Sequence, residues 1–172
     1  MKIASDFVYE HTVNKVMHPN QDIFSVYDSD KSNKLGTLVC HKSELPLRPN
    51  YENSVLAIDF LEVTPKNKGV GTKILKFAEE YSRQTGCNGY LIVKADGSFM
   101  PERIPHIFYR KFGFSTFNKE TDKKLDKFIT RKLNATNKDF PCLLMHYPPQ
   151  AEKIPTVLQK CAEILRKMFK KA

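Results

Sequence analysis

The residues best suited to chemistry stand close together in the middle of the chain. Lys66, Asn67, Lys68, Gly69, Val70, Gly71 and Thr72 form a short basic loop with two glycines. Free backbone N–H groups at a helix start, with lysines beside them, favour an anion, most naturally a phosphate or pyrophosphate. Just before the loop, Asp59 and Glu62 are set into an otherwise apolar run, LAIDFLEV, as carboxylates placed on a largely buried strand would be. Other chemistries find less support. His11, His18, His41, His106 and His146 are scattered without a zinc-ligand spacing, so no metal is expected. Cys40 beside His41 is no nucleophile pair, because adjacent strand residues point to opposite faces.

The elements that position these residues follow from periodicity. Leu56 to Val63 reads as a strand that Pro65 ends. Ile74, Leu75, Phe77, Ala78 and Tyr81 then recur at the spacings of an amphipathic helix, with Gly86 as its C-terminal cap. Gly89 to Ala95 is a second apolar strand. Strand, helix and strand make a βαβ unit whose strands are parallel and joined by a right-handed connection. Upstream, residues 2 to 9 are expected as a first strand and Glu10 to Gln21 as a short helix or irregular loop. Asp22 to Tyr27 and Lys34 to His41 then form a hairpin about the polar turn DSDKSN. Downstream, Glu102 to Phe112 reads as a short helix, Gly113 to Phe117 as the start of a strand, residues 118 to 139 as a mostly charged helix, and Phe140 to Tyr147 as a final strand.

Composition bounds the answer. At 172 residues the chain suits one core-bearing domain. Residues 1 to 149 are assigned to it, and residues 150 to 172 to a basic amphipathic helix. In that tail Ile154, Val157, Leu158, Cys161, Ile164, Leu165, Met168 and Phe169 share a face, expected to pack on the domain or on a second copy of it. The net charge of +9 favours anionic ligands or partners. Sparse aromatics on basic faces count against nucleic acid. Four widely spaced cysteines suggest reduced thiols in the cytoplasm. No apolar run approaches the roughly 20 residues of a membrane span, and the stretch MKIASDFVYEHTV lacks the continuous apolar core expected of a signal peptide.

A glycine-bearing loop is a weak signal until its surroundings are read. A dinucleotide fold wants a third glycine where Ile74 stands, and a nucleoside-triphosphate loop wants a GKS or GKT close that GVGTK lacks. The segment LEVTPKNKGVGTKIL, followed by FYRKFGF at Phe108 to Phe114, resembles instead the acetyl-CoA-binding core of the GCN5-related N-acetyltransferase (GNAT) superfamily. Lys66 to Gly71 is similar to its pyrophosphate loop and Phe108 to Phe114 to its FYxxxGF segment. Lys66 stands where that loop usually has arginine or glutamine, which keeps the charge and loses the planar fork.

The resemblance implies a mixed, mostly antiparallel twisted sheet with a central splayed parallel pair and flanking helices. It implies acetyl-CoA as cofactor, its phosphates on Lys66, Lys68, Gly69, Val70, Gly71 and Thr72, and its pantetheine arm on the backbone of Leu61 and Val63. The reaction implied is transfer of an acetyl group to a primary amine, on a small molecule or a protein, by direct attack in a ternary complex. Tyr109 matches the tyrosine that protonates the leaving sulfur. Glu62 is the candidate general base and Asp59 its alternative, on the opposite strand face by simple alternation. His106, three residues before Tyr109, is a further candidate for touching cofactor or acceptor. A binding module of the same fold, holding CoA or another anion without catalysis, is the competing reading.

Overall fold

A computed structural model describes residues 7–16, 21–44, 54–64, 69–98, 104–133, 136 and 139–147. Seven strands and three helices follow in the order β1 (Phe7–Asn14), β2 (Gln21–Asp28), β3 (Lys34–Ser43), β4 (Val55–Val63), α1 (Val70–Gln84), β5 (Leu91–Ala95), α2 (Pro105–Phe112), β6 (Ser115–Thr116), α3 (Lys119–Thr130) and β7 (Leu143–Tyr147). They build one sheet, ordered β1-β2-β3-β4-β5-β7-β6. Only β4 and β5 are parallel among its pairings, as a strand–helix–strand crossover requires. The mixed sheet and central parallel pair are those expected from the sequence. The tail helix lies outside the described residues, as does the boundary at 149.

One expectation fails at the N-terminus. Glu10 to Asn14 is strand, continuous with Phe7 and paired in register from Phe7↔Asp28 to Asn14↔Gln21. Its polar residues misled because β1 is an edge strand, where exposed side chains need not alternate cleanly.

The core lies between α1 and one face of the sheet. Phe24, Val26, Leu38, Cys40, Leu56 and Ile58 from the strands meet Ile74, Leu75, Phe77 and Ala78 from α1, all buried. Tyr9 stacks on Phe77 with ring centroids 3.9 Å apart, which fixes β1 to the same side. The even-numbered side chains of β2 and the upper part of β3 therefore face α1. The opposite face of β2 to β4 carries Gln21, Ile23, Val39, His41, Ala57, Asp59, Phe60 and Glu62, all half-buried or exposed. Among them Phe60 keeps half its surface in water, at 50%.

At the far side, α3 braces α2. Its start is capped by Asn118, whose side chain accepts from the amides of Glu120 and Thr121, the arrangement that satisfies otherwise orphaned donors. Arg110 of α2 then grips Asp126 of α3 with two bonds of 2.8 Å. The same guanidinium donates to the Phe114 carbonyl at 3.1 Å and the Ser115 hydroxyl at 2.9 Å. A planar fork used this fully fixes the helix that carries Tyr109.

Candidate active site

The feature that could receive a long, narrow ligand is the place where β4 and β5 part. Their ladder has three rungs, Leu56↔Leu91, Ala57↔Ile92 and Ile58↔Val93, whereas β4 runs on to Val63. Beyond Ile58 its edge toward β5 is open. What that edge presents follows from two backbone bonds and one irregularity. The Leu56 amide donates to Tyr90, toward β5, and the Thr64 amide donates to Leu35, toward β3. Eight residues apart, both would face the same neighbour in a regular strand. They do not, because β4 carries a bulge: Cys40 stands opposite Ile58 and Val39 opposite Phe60, which leaves Asp59 as the extra residue. By alternation back from Thr64, Leu61 and Val63 turn their peptide groups into the gap.

The bulge also corrects an expectation about side chains. Asp59 does not stand opposite Glu62. With one residue inserted, Asp59, Phe60 and Glu62 share the face away from α1, where Phe60 pairs with Val39 and Glu62 with Thr37. Simple alternation misplaces Asp59 because it has no place for the inserted residue.

At the end of the gap stands the start of α1. Gly69 sits at φ 74 as its N-cap, and no side chain caps the helix, so the first-turn amides at Val70, Gly71 and Thr72 have no partner of that kind. A Cβ at Gly69 would meet nothing within 4 Å. That glycine answers to its left-handed backbone and leaves open space above it. Gly71 answers to packing instead: a Cβ there would lie 2.9 Å from the Phe108 ring and 3.5 Å from Val63 Cγ2. Lys66 and Lys68, the other residues expected at this anion site, lie outside the described residues.

Sequence reasoning missed the groove that continues from this point between α1 and α2. About 420 Å³ in volume, it is lined by Thr72, Lys76, Glu79, Lys111, Phe112 and Tyr147. Two lysines converging from separate helices suit the phosphates of an extended anionic ligand. A lysine one turn beyond Thr72 was the available signal, but its partner Lys111 is brought up only by the docking of α2. The open gap, the uncapped helix start and this groove together fit coenzyme A.

Tyr109 is buried at 6% exposure, with the Phe108 and Phe114 rings at 5.2 and 5.3 Å. Burial pushes its phenol well above the ordinary value, so it is neutral and able to donate. It stands on the α1 side of the sheet and Glu62, exposed, on the other. His106 is no ligand-facing residue: it is fully buried, with Nε2 2.9 Å from the Pro141 carbonyl, and burial lowers its pKa.

Two further polar residues join Asp59 at the bulge. His41 Nδ1 lies 2.7 Å from its carboxylate, and Gln21 Nε2 donates to the same oxygen at 2.9 Å. Among the described residues no group of three or more histidine, cysteine or acidic side chains could hold a metal ion. No described helix is long and apolar enough to cross a membrane.

Comparison with known proteins gives one family and several solved structures. The sequence model of the acetyltransferase (GNAT) family matches residues 6–114. A structure of the Bacillus subtilis N-acetyltransferase YlbP in complex with coenzyme A is similar over 74% of this chain and 67% of its own, at 17% identity and a TM-score of 0.45. Arabidopsis thaliana Naa50 in complex with the bisubstrate analogue CoA-Ac-MVNAL is similar over 84% of this chain and 100% of its own, at 13% identity and a TM-score of 0.48. No curated protein matches the sequence at a significant level.

Proposed function

This chain belongs to the acetyltransferase (GNAT) family, whose acyl donor is acetyl-CoA, and on that premise we propose that it acetylates a primary amine by direct attack in a ternary complex. The observation that carries the reading is the bulged edge of β4. It turns the Leu61 and Val63 peptide groups into the gap beyond the last rung at Ile58–Val93, and the uncapped start of α1 stands at the gap's outer end.

Acetyl-CoA supplies an acyl group already activated as a thioester. Leu61 and Val63 hold its arm as a third strand would, and an amide among them donates to the carbonyl oxygen as charge develops there. The phosphates rest on Gly69 to Thr72, with Lys66 and Lys68 beside them and Lys76 and Lys111 in the adjoining groove. Tyr109 gives its proton to the departing sulfur. A phenol raised by burial is a weak acid, but a thiolate released into the same surroundings is raised by the same cause, so the transfer stays matched. Glu62, exposed on the other face, draws the charged amine to that side, where a base takes its proton directly or through water.

The acceptor is a small-molecule amine or a protein amine. The free cysteines Cys40, Cys87 and Cys142 suit a reducing compartment such as the cytoplasm. The decisive variant is Tyr109→Phe. It is expected to bind acetyl-CoA with the wild-type affinity by calorimetry and to lose about 10²-fold in acetyl transfer. Wild-type binding without turnover across small amines, amino acids and peptides would point to a binding module instead.

A further inference from the structure

Glu62 stands near the mouth of the gap, three residues along β4 from Asp59, which is roughly 10 Å of strand. The reacting end of a ligand whose phosphates rest on α1 must lie at the other end, where β4 and β5 meet at Ile58–Val93. The titratable pair beside that point is His41 with Asp59. His41 stands opposite Ala57, in the rung before the gap opens, and Asp59 is the first residue beyond the last rung. Both keep about a third of their side-chain surface in water, 38% and 32%, on the face that β4 offers away from α1. Asp59 engages Nδ1 at 2.7 Å while Gln21 holds the same carboxylate oxygen. That fixes the ring orientation and puts the proton on Nδ1, leaving Nε2 as the basic nitrogen. Among the described residues no hydrogen bond engages Nε2. On this face the side chains around His41 are Gln21 and Ile23 from β2 and Ala57 and Asp59 from β4. Asp59 is the charged one, and Lys94 of β5 shares the face by register.

We propose that His41 is the general base of the reaction and that Asp59 is its positioning residue, Glu62 acting at the mouth of the site. The inference rests on the acetyltransferase reading. The charged amine gives one proton to His41 Nε2; its freed lone pair then forms the bond to the thioester carbonyl carbon, and a second N–H proton leaves to solvent as the amide forms. The carbon–sulfur bond breaks with its electron pair on sulfur, which takes the Tyr109 proton. Solvent then removes the proton from His41 and restores that of Tyr109.

The test compares two nucleophiles that differ in their need for a base: tyramine, charged at neutral pH, and hydroxylamine, largely unprotonated there. Thiol release from acetyl-CoA is followed for wild type, His41→Gln and Asp59→Asn. In His41→Gln the ratio of tyramine to hydroxylamine turnover is expected to fall about 10²-fold, while calorimetry shows an unchanged Kd for acetyl-CoA. In Asp59→Asn that ratio falls about tenfold. A readout independent of turnover is the imidazole of the free protein by nitrogen-detected NMR. Its Nδ1–H tautomer should depend on Asp59, shifting toward Nε2–H in Asp59→Asn because the carboxylate that accepts from Nδ1 is gone. Equal loss for both nucleophiles in His41→Gln overturns the proposal, as does an imidazole indifferent to Asp59. Wild type that transfers to hydroxylamine but never to tyramine overturns it too, whereas absence of acetyl-CoA binding in wild type overturns the acetyltransferase reading itself.

Discussion

The two faces of the central sheet differ in what their residues are for. Toward α1, Leu38, Cys40, Leu56, Ile58 and Ile74 are closed off from water, and the polar features on that side, the start of α1 and the lysines of the groove, lie at its rim. On the other face, Gln21, His41, Asp59, Phe60 and Glu62 remain partly or largely wet. The first face holds the fold together and carries the proposed anion site at its rim. The second spends little on packing and keeps carboxylates and an imidazole available. The net charge of the chain is +9, yet the face proposed for the acceptor is acidic at Asp59 and Glu62, which suits a cationic amine. Local charge, not the total, sets what approaches a site.

The largest effect should come from breaking the packed face. Phe114 is fully buried against Tyr109, Phe112 and Tyr147, so Phe114→Ala is expected to lose about 3–5 kcal/mol in urea denaturation. Phe60→Ala on the open face should change stability by less than about 1 kcal/mol while raising KM for the acceptor. Equal destabilisation by the two would mean that the faces are not distinct in this way.

Gly71 probes the junction between packing and ligand. Gly71→Val puts side-chain carbon where the Phe108 ring already lies, 2.9 Å from a Cβ, and should cost about 1–3 kcal/mol together with affinity for acetyl-CoA. Gly69→Ala meets no neighbour and should cost only the left-handed backbone, about 1 kcal/mol. Measured together by thermal denaturation and calorimetry, the pair separates crowding from backbone strain at two glycines of one helix start. Replacing both Lys76 and Lys111 by alanine should weaken acetyl-CoA about tenfold, 1.4 kcal/mol, with the difference shrinking as salt is raised.

How much of this was legible in the sequence divides along the same line. The α1 side was readable because its signals are local: the helical stripe from Ile74 to Tyr81, the glycines at 69 and 71 and the FYRKFGF segment each occupy a few consecutive residues. The open face was not, because its defining event is one of register. Nothing in LAIDFLEV announces that Asp59 is inserted against Cys40 and Val39, so alternation assigned it to the wrong face and its partner His41, eighteen residues away, was read only beside Cys40. The second half of β1 was missed for a similar reason, since the pairing that makes Glu10 to Asn14 extended lies in β2. Lys76 and Lys111 likewise meet only through tertiary docking.

The smallest effect belongs to a carboxylate that serves neither face. Asp28 closes the β2–β3 turn, accepting from the Asn33 side chain at 2.7 Å, the Asn33 amide at 3.1 Å and the Ser32 hydroxyl at 3.0 Å. These donors, Asn33 foremost, hold its pKa down to about 2 from the ordinary 3.8. A group whose pKa is lower folded than unfolded adds stability above its unfolded value and loses it as pH falls through the folded one. The melting-temperature gap between wild type and Asp28→Ala should therefore be constant above about pH 4 and narrow between pH 4 and 2, the turn losing its acceptor as the carboxylate is protonated. Asp59→Ala offers the contrast: its partners His41 and Gln21 come from two other strands, so its removal should be felt in the histidine's tautomer and in acetyl transfer more than in stability. If Asp59→Ala lowered the melting temperature as Asp28→Ala does and left the His41 tautomer and acetyl transfer unchanged, Asp59 would be another structural carboxylate, and the open face would lose its claim to chemistry.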